Sequence, residues 1–421
     1  MSVSITQEPP LLTPAYSDIV MVASSTHILD KFKTKYVSDI FSTPLDATGS
    51  NYIGRIRTTP NPSGVGMLDI SRYLQLQNSQ DLVGGSMYDI PTASKLISGT
   101  TTLNAYNVIV GEEYAESISG SVVLYNGNGT ASTGETLTST STITGYTFNG
   151  VKQFSDGPVW DQAPYVTPSG RELLTNSPRT LYKETDEYIT TACLYGTYSG
   201  TSFGITGGTY ATVYDNQNNL IKTYNPQSGF TATSSKIVPI FCGVNVADVI
   251  SGFSNTWYKI LLQIGTGNQT EILTIINKGC PWLKYNPMDI IFLNRLGAWD
   301  TFRFYGSKQE AIKVERETYE RLPGTWSSTS YTYNTYERGT SNIRADIEVN
   351  GEVMSDYIDR DTVNWLEELI TSPQIFKIED NTLTPINIVD SNFNRQVKGN
   401  IKLRQVSFKY IYSNQIRTQQ Q

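Results

Sequence analysis

The sequence predicts a mainly β chain of several domains, with sheets of the β-sandwich kind and one convincing helix near the C-terminus. Three observations predict it. Charged residues make up only 17% of the 421, and Ser, Thr, Asn, Gly and 27 Tyr take their place. That is the composition of strands with polar outer faces and many turns. Apolar residues recur with period two in segment after segment, whereas a 3.6-residue period is clear only within Ser355–Ser372.

The elements follow in order. Asp18–Ala23 and Tyr36–Phe41 are β-like, and Arg55–Pro62 runs into the Pro/Gly loop Pro62–Gly66. Leu68–Leu76 then holds one or two helical turns that Asp69 or Ser71 can cap. Val108–Val110 and Ser121–Tyr125 resume the strand pattern. Residues 126–147 are a Gly/Ser/Thr low-complexity insert, expected to be an exposed hairpin or a mobile loop. Together these make an N-terminal domain, 1–175.

A central β-sandwich is expected over 176–288. Thr209–Asn225 is a hairpin around Asp215–Asn219. Ile237–Val246, Trp257–Ile264 and Glu271–Ile276 follow as strands. In Trp257–Ile264 the residues Tyr258, Ile260, Leu262 and Ile264 share one face.

The C-terminal domain, 289–421, opens with strands Ile290–Leu293 and Thr301–Tyr305 around the tight Asn294–Gly297. Asn342–Val349 alternates and is expected to turn at Asn350-Gly351, a strong hairpin dipeptide. The helix at 361–371 carries Val363, Leu366, Leu369 and Ile370 on one face. Asp359 or Asp361 caps it and Pro373 ends it. Thr384–Val389 and Asn400–Tyr412 are strands. In the latter Ile401 and Leu403 are out of phase with Val406, Phe408, Tyr410 and Tyr412, which predicts a β-bulge near Arg404–Gln405. The tail Arg417–Gln421 is polar and expected to fray.

Composition also narrows the function. With 32 Lys+Arg against 39 Asp+Glu the net charge is −7, which argues against a basic nucleic-acid footprint. The longest apolar runs, near Ile260–Ile264 and Ile290–Leu293, are too short to span a bilayer, so no membrane contact is expected. The start MSVSITQEPPLL has neither a cationic segment nor an apolar core, so the expectation is synthesis in a cytoplasm without a signal peptide. Cys193, Cys242 and Cys280 lie far apart with no CxxC, which suits buried free thiols.

Catalytic and metal chemistry finds little to work with. His27 is the single histidine, so every histidine-dependent mechanism hangs on it, and no nucleophile motif is placed to use it. Asp356, Asp359 and Asp361 crowd before the helix, but the spacing of an oxygen-rich calcium loop is not met. Capping and the helix dipole account for them. Asp215–Asn219 fails the same test. Asp156, Trp160 and Asp161 hint at glycoside hydrolysis without forming a constellation, and no GxxxxGK phosphate loop exists. The expectation is a protein without enzymatic activity, cofactor or metal that works through surfaces. Tyr and Asn suit such surfaces.

Several segments resemble structural proteins of tailed bacteriophages, especially those of Bacteroidetes, including crAss-like phages. They are Ile5-Thr-Gln-Glu-Pro with Pro14-Ala-Tyr, the run Arg55–Leu76, the run Asp289–Tyr305 and, most tellingly, Asp361–Val389. The last resembles the helix and hairpin of tail-tube-like domains in distal-tail and tail-hub proteins, which implies that the C-terminal domain is a β-barrel with the helix 361–371 packed on it. The resemblance implies a virion component: a homo-oligomeric ring of the tail (hub, distal tail or baseplate) that joins other virion proteins and lets DNA pass. Neck-ring, capsid-associated, and receptor- or glycan-binding virion roles stay open. The insert 126–147 and the central sandwich lie outside that pattern. For a ring, the interface candidates are Trp365 and Glu367, off the helix stripe, with Phe376, Phe408 and Tyr410 on the strands beside it.

Overall fold

A computed structural model of the chain describes residues 3–27, 30–42, 51–78, 95–99, 103–134, 136–138, 142–157, 159–225, 227, 229–234, 236–252, 257–279, 286–337, 339–379, 382–392 and 404–414. Cys280, the strand start at 400–403 with Ile401 and Leu403, and the tail 417–421 lie outside these residues. The described chain is mainly β and multi-sheeted, as its composition predicts. It divides into two compact units. The first is 1–279 with 293–300, and the second is 280–292 with 301–421. The boundary expected at 175/176 therefore falls inside the first unit.

That unit contains two layered bodies. In one, Val3–Gln7, Val20–Ser25 and Val65–Asp69 form a three-stranded sheet, and a six-stranded sheet is built on Leu103–Ala115 and Phe32–Ser42. Ile19, Met21, Tyr36, Ile40, Leu68, Tyr106 and Val108 fill the core between them. The short helix Ser71–Gln75 follows Asp69, whose Oδ1 accepts from the Ser71 amide at 3.0 Å. The low-complexity insert departs from expectation. Its end is the strand Thr142–Phe148, which lies between Leu12–Pro14 and Leu103–Ala115 inside the six-stranded sheet. Leu137 is buried too, and its amide donates to Asp39 Oδ2 at 2.7 Å.

The other body is the expected sandwich. Thr180–Lys183, Leu273–Asn277, Lys259–Ile264, Thr209–Tyr214 and Leu220–Tyr224 form one sheet, and Thr201–Phe203, Tyr188–Tyr198, Val238–Asn245 and Lys95–Ser98 form the other. Lys95–Ser98 comes from the N-terminal segment and pairs with Val238–Asn245, which is why no boundary separates the two segments. Tyr258, Ile260, Leu262 and Ile264 all point into the core, as their alternation predicts. The Asp215–Asn219 turn is also as read: Asp215 Oδ1 accepts from the amides of Gln217 and Asn219, each at 2.8 Å. Cys193 and Cys242 are buried, and burial pushes each thiol up to about 12.

The second unit is a seven-stranded sheet in the order Trp299–Phe304, Met288–Leu293, Ile375–Glu379, Thr382–Asn392, Ser407–Tyr412, Thr340–Met354, Lys308–Glu320. The expected closed barrel is not formed among the described residues, because the two end strands do not pair with each other. The sheet is nonetheless curled. Phe304 on the first strand meets Phe408 on the fifth, ring centroids 5.2 Å apart. The helix Arg360–Thr371 packs on its inner face, and Asp359 caps it by accepting from the Thr362 amide at 2.9 Å. The expected turn at Asn350-Gly351 does not exist. Both residues lie mid-strand in Thr340–Met354, paired to Ala311 and Glu310 on one side and to Ile411 and Tyr410 on the other. A Cβ at Gly351 would fall within the Tyr410 ring, so the glycine is there to let that ring lie across the strand.

Candidate functional site

The sequence-derived interface residues do not form a surface. Trp365 is buried, its ring 5.9 Å from both Phe292 and Phe302. Phe408 and Tyr410 are likewise buried in the second unit's own core, while Glu367 and Phe376 are half-buried. The expectation that Trp365 faces a neighbour fails for a physical reason. A curled sheet wraps more of the helix than one stripe, so a residue just off the stripe is covered as well.

The exposed surface lies instead on a ribbon of which the sequence predicted only the alternating stretch Asn342–Val349. Lys308–Glu320 and Thr340–Met354 pair antiparallel from Lys308↔Val353 to Glu320↔Thr340. The next strand, Ser407–Tyr412, supports this ribbon only as far as Asn350↔Ile411. Outward of that point the described strand pairing is two-stranded for about 35 Å, taking the usual rise per residue. The register sorts its residues onto two faces. One carries the cross-strand pairs Ile312↔Val349 and Val314↔Ile347, and the other carries Lys313↔Glu348, Glu315↔Asp346 and Glu317↔Arg344. Lys313 bonds Glu315 at 2.7 Å and Arg344 bonds Asp346 at 2.6 Å. The charged face is thus solvated and internally paired. The apolar face has nothing over it at Ile312, which is 67% exposed.

The ribbon is fastened at its root by a polar cluster. Glu310 Oε1 accepts from the Tyr412 hydroxyl at 2.9 Å, the Tyr410 hydroxyl at 3.0 Å and Lys377 Nζ at 3.3 Å, with Lys308 Nζ also at 3.3 Å. Burial pushes the Glu310 carboxyl up, but the two hydroxyls and the two ammonium groups together outweigh it and hold it down at about 2. Beside this root opens a cleft of ≈ 880 Å³. Lys313 and Arg344 share its walls with Glu315, Asp346, Glu348 and Glu379, so it offers no single-sign field to a charged ligand.

At the far end the chain makes a small hairpin, Thr325–Trp326 with Tyr331–Thr332. Trp326, Tyr331, Tyr333 and Tyr336 are all exposed there. The sequence signal was the aromatic density of GTWSSTSYTYNTY between two alternating runs.

The remaining candidates have local roles. His27 Nδ1 lies 2.9 Å from Glu112 Oε1, and its ring packs on Tyr114. Ser25 Oγ bonds the other Glu112 oxygen at 2.5 Å rather than the imidazole, so the serine is not positioned as a nucleophile activated by this histidine. Asp156 pairs with Arg295 at 2.7 Å, and Asp161 Oδ1 accepts from the Ala163 amide. Among the described residues, no helix is long and apolar enough to cross a membrane.

No protein-family model and no curated protein matches the sequence. Among solved structures, a mutant of Salmonella alpha-2-macroglobulin aligns at 8% identity over 97% of this chain and 23% of that chain, with a TM-score of 0.21. The chain therefore spans less than a quarter of that protein, and a likeness this weak carries no argument.

Proposed function

We propose that the chain is a structural subunit of a tailed-phage virion that assembles with copies of itself through its C-terminal unit, most simply as a ring of the tail. The observation that carries this reading is the ribbon's apolar face. A two-stranded hairpin is at best marginal in water, and three strands or a packed face are the usual remedy. Ile312, Val314, Ile347 and Val349 supply such a face, and a neighbouring copy would bury it. Among the described residues Lys308–Glu320 is an end strand of the sheet, an edge of the kind that proteins cover or pair. The net charge of −7 suits a ring whose lumen must not hold passing phosphates. The phage assignment itself rests on the sequence resemblance.

Light scattering and negative-stain microscopy test the assembly reading. The native chain should form closed oligomers, and the double variant Ile312→Asp/Ile347→Asp should remain folded but monomeric. Rings of native size from the double variant would remove the ribbon from the interface. A native chain that stays monomeric at high concentration would remove the ring.

A further inference from the structure

The hairpin at the ribbon's end has a chemistry unlike the rest of the ribbon. From Leu322 to Glu337 the only charged residue is Glu337, whereas Ser and Thr fill seven positions. Trp326 and Tyr331 lie with ring centroids 4.2 Å apart at 33°, and Tyr331 and Tyr333 follow at 5.7 Å and 30°. The Trp326 and Tyr331 rings therefore pack face against face as a cross-strand pair, with Tyr333 beside Tyr331 at a similar tilt. The cluster is held in place: the Tyr331 hydroxyl donates to the Pro323 carbonyl at 2.6 Å, and Ser327 closes the turn on Ser330. Asn334 is tied to Glu337 at 3.1 Å. The outer members keep their polar atoms available. Among the described residues, Trp326 Nε1 and the hydroxyls of Tyr333 and Tyr336 have no protein partner.

We infer that this tip is a binding platform for a neutral glycan chain. A pyranose presents a flat C–H face and a rim of hydroxyls. The cluster offers matching surfaces: aromatic residues that are 60% exposed at Trp326 and 64% at Tyr333, with N–H and O–H groups at the ring edges. Other occupants fit less well. Nucleic acid and anionic lipid need clustered Lys and Arg, and the stretch has none between Arg321 and Arg338, which flank it in sequence. The rigid Tyr/Trp surface with adaptable Ser, Thr and Asn around it is a composition that recognises polar surfaces at low entropic cost. The tip and the apolar ribbon face use different residues, so the variants that test one do not alter the other.

The experiment is titration of the full chain with soluble neutral hexasaccharides (cello-, malto-, manno- and chito-hexaose), followed by calorimetry and saturation-transfer NMR. Trp326→Ala and Tyr333→Ala are measured in parallel, with melting temperature and oligomeric state checked for each. The expected result is binding of at least one neutral glycan that weakens about tenfold or more in either variant, at unchanged melting temperature and oligomer size. The inference is overturned if none of the four binds. It is equally overturned if binding persists in both variants, if only a sulfated control such as dextran sulfate binds, or if the tip proves to be covered by a neighbouring copy in the assembled ring.

Discussion

The strand Thr340–Met354 passes through two environments. Its inner end, with Gly351 and Val353, is buried between two neighbouring strands, while its outer part alternates between a charged face and an apolar face along the two-stranded ribbon. The same period-two pattern runs through Trp257–Ile264, where every residue of the apolar face is buried in the sandwich. Alternation therefore reports that a face exists and not what covers it. In the sandwich the cover is the same chain. On the ribbon the described residues leave Ile312 uncovered, and that difference is the reason the proposal places the working surface of the C-terminal unit there.

The comparison can be broken most severely from inside. Leu366→Asp places an unpaired charge against Val353 and Phe408, in the core that seats the helix, and should cost several kcal/mol. Urea unfolding and limited proteolysis should show the C-terminal unit lost. A fully protected unit would mean that the helix is not seated as described. Gly351→Val comes next, at about 1–3 kcal/mol, because the new side chain must displace the Tyr410 ring. Combining it with Tyr410→Leu should recover part of that loss in a double-mutant cycle. Strict additivity would argue that the ring is not the reason for the glycine.

The effects at the ribbon's root and beyond are smaller. Glu310 is held at about 2, below its ordinary 4.5. A carboxylate depressed by folding stabilises the native state above its unfolded pKa, and that contribution is lost as pH falls toward the folded value. Stability should therefore decline between about pH 4.5 and 2, and Glu310→Gln should flatten that part of the profile in a pH series of thermal melts. An unchanged profile would take Glu310 out of the acid response. The smallest effect on stability belongs to Ile312→Asp, expected within about 0.5 kcal/mol because the site is exposed in the single chain. A large drop in the melting temperature of the monomer would mean that the apolar face is already covered within one chain.

Much of the fold was legible, and the failures share a cause. The sandwich strands, the Asp215–Asn219 turn and the capped helix are set by local periodicity and local hydrogen bonds, which a sequence displays. Asn350-Gly351 misled because the dipeptide signals a turn only when no neighbouring ring explains the glycine. Thr142–Phe148 hid inside a low-complexity run because its Gly and Thr look like loop, yet Gly145 stands opposite Tyr106 and leaves room for that ring. Trp365 misled because the width of a helix's covered face depends on the curvature of its partner. The ribbon's role was not legible, since burial is a property of the assembled chain.

The glycine–tyrosine pairs have a consequence for how this molecule tolerates change. Gly145 with Tyr106 and Gly351 with Tyr410 are opposed in register across neighbouring strands, and at Gly66 a side chain would collide with Tyr36. Each tyrosine lies over backbone that a side chain would otherwise shield, a device that recovers part of what glycine loses in a strand. The two residues of a pair are thus one unit of inheritance. Relatives too distant to align by ordinary similarity should gain or lose both together, and paired substitution at these positions would be a more sensitive trace of common ancestry than overall identity.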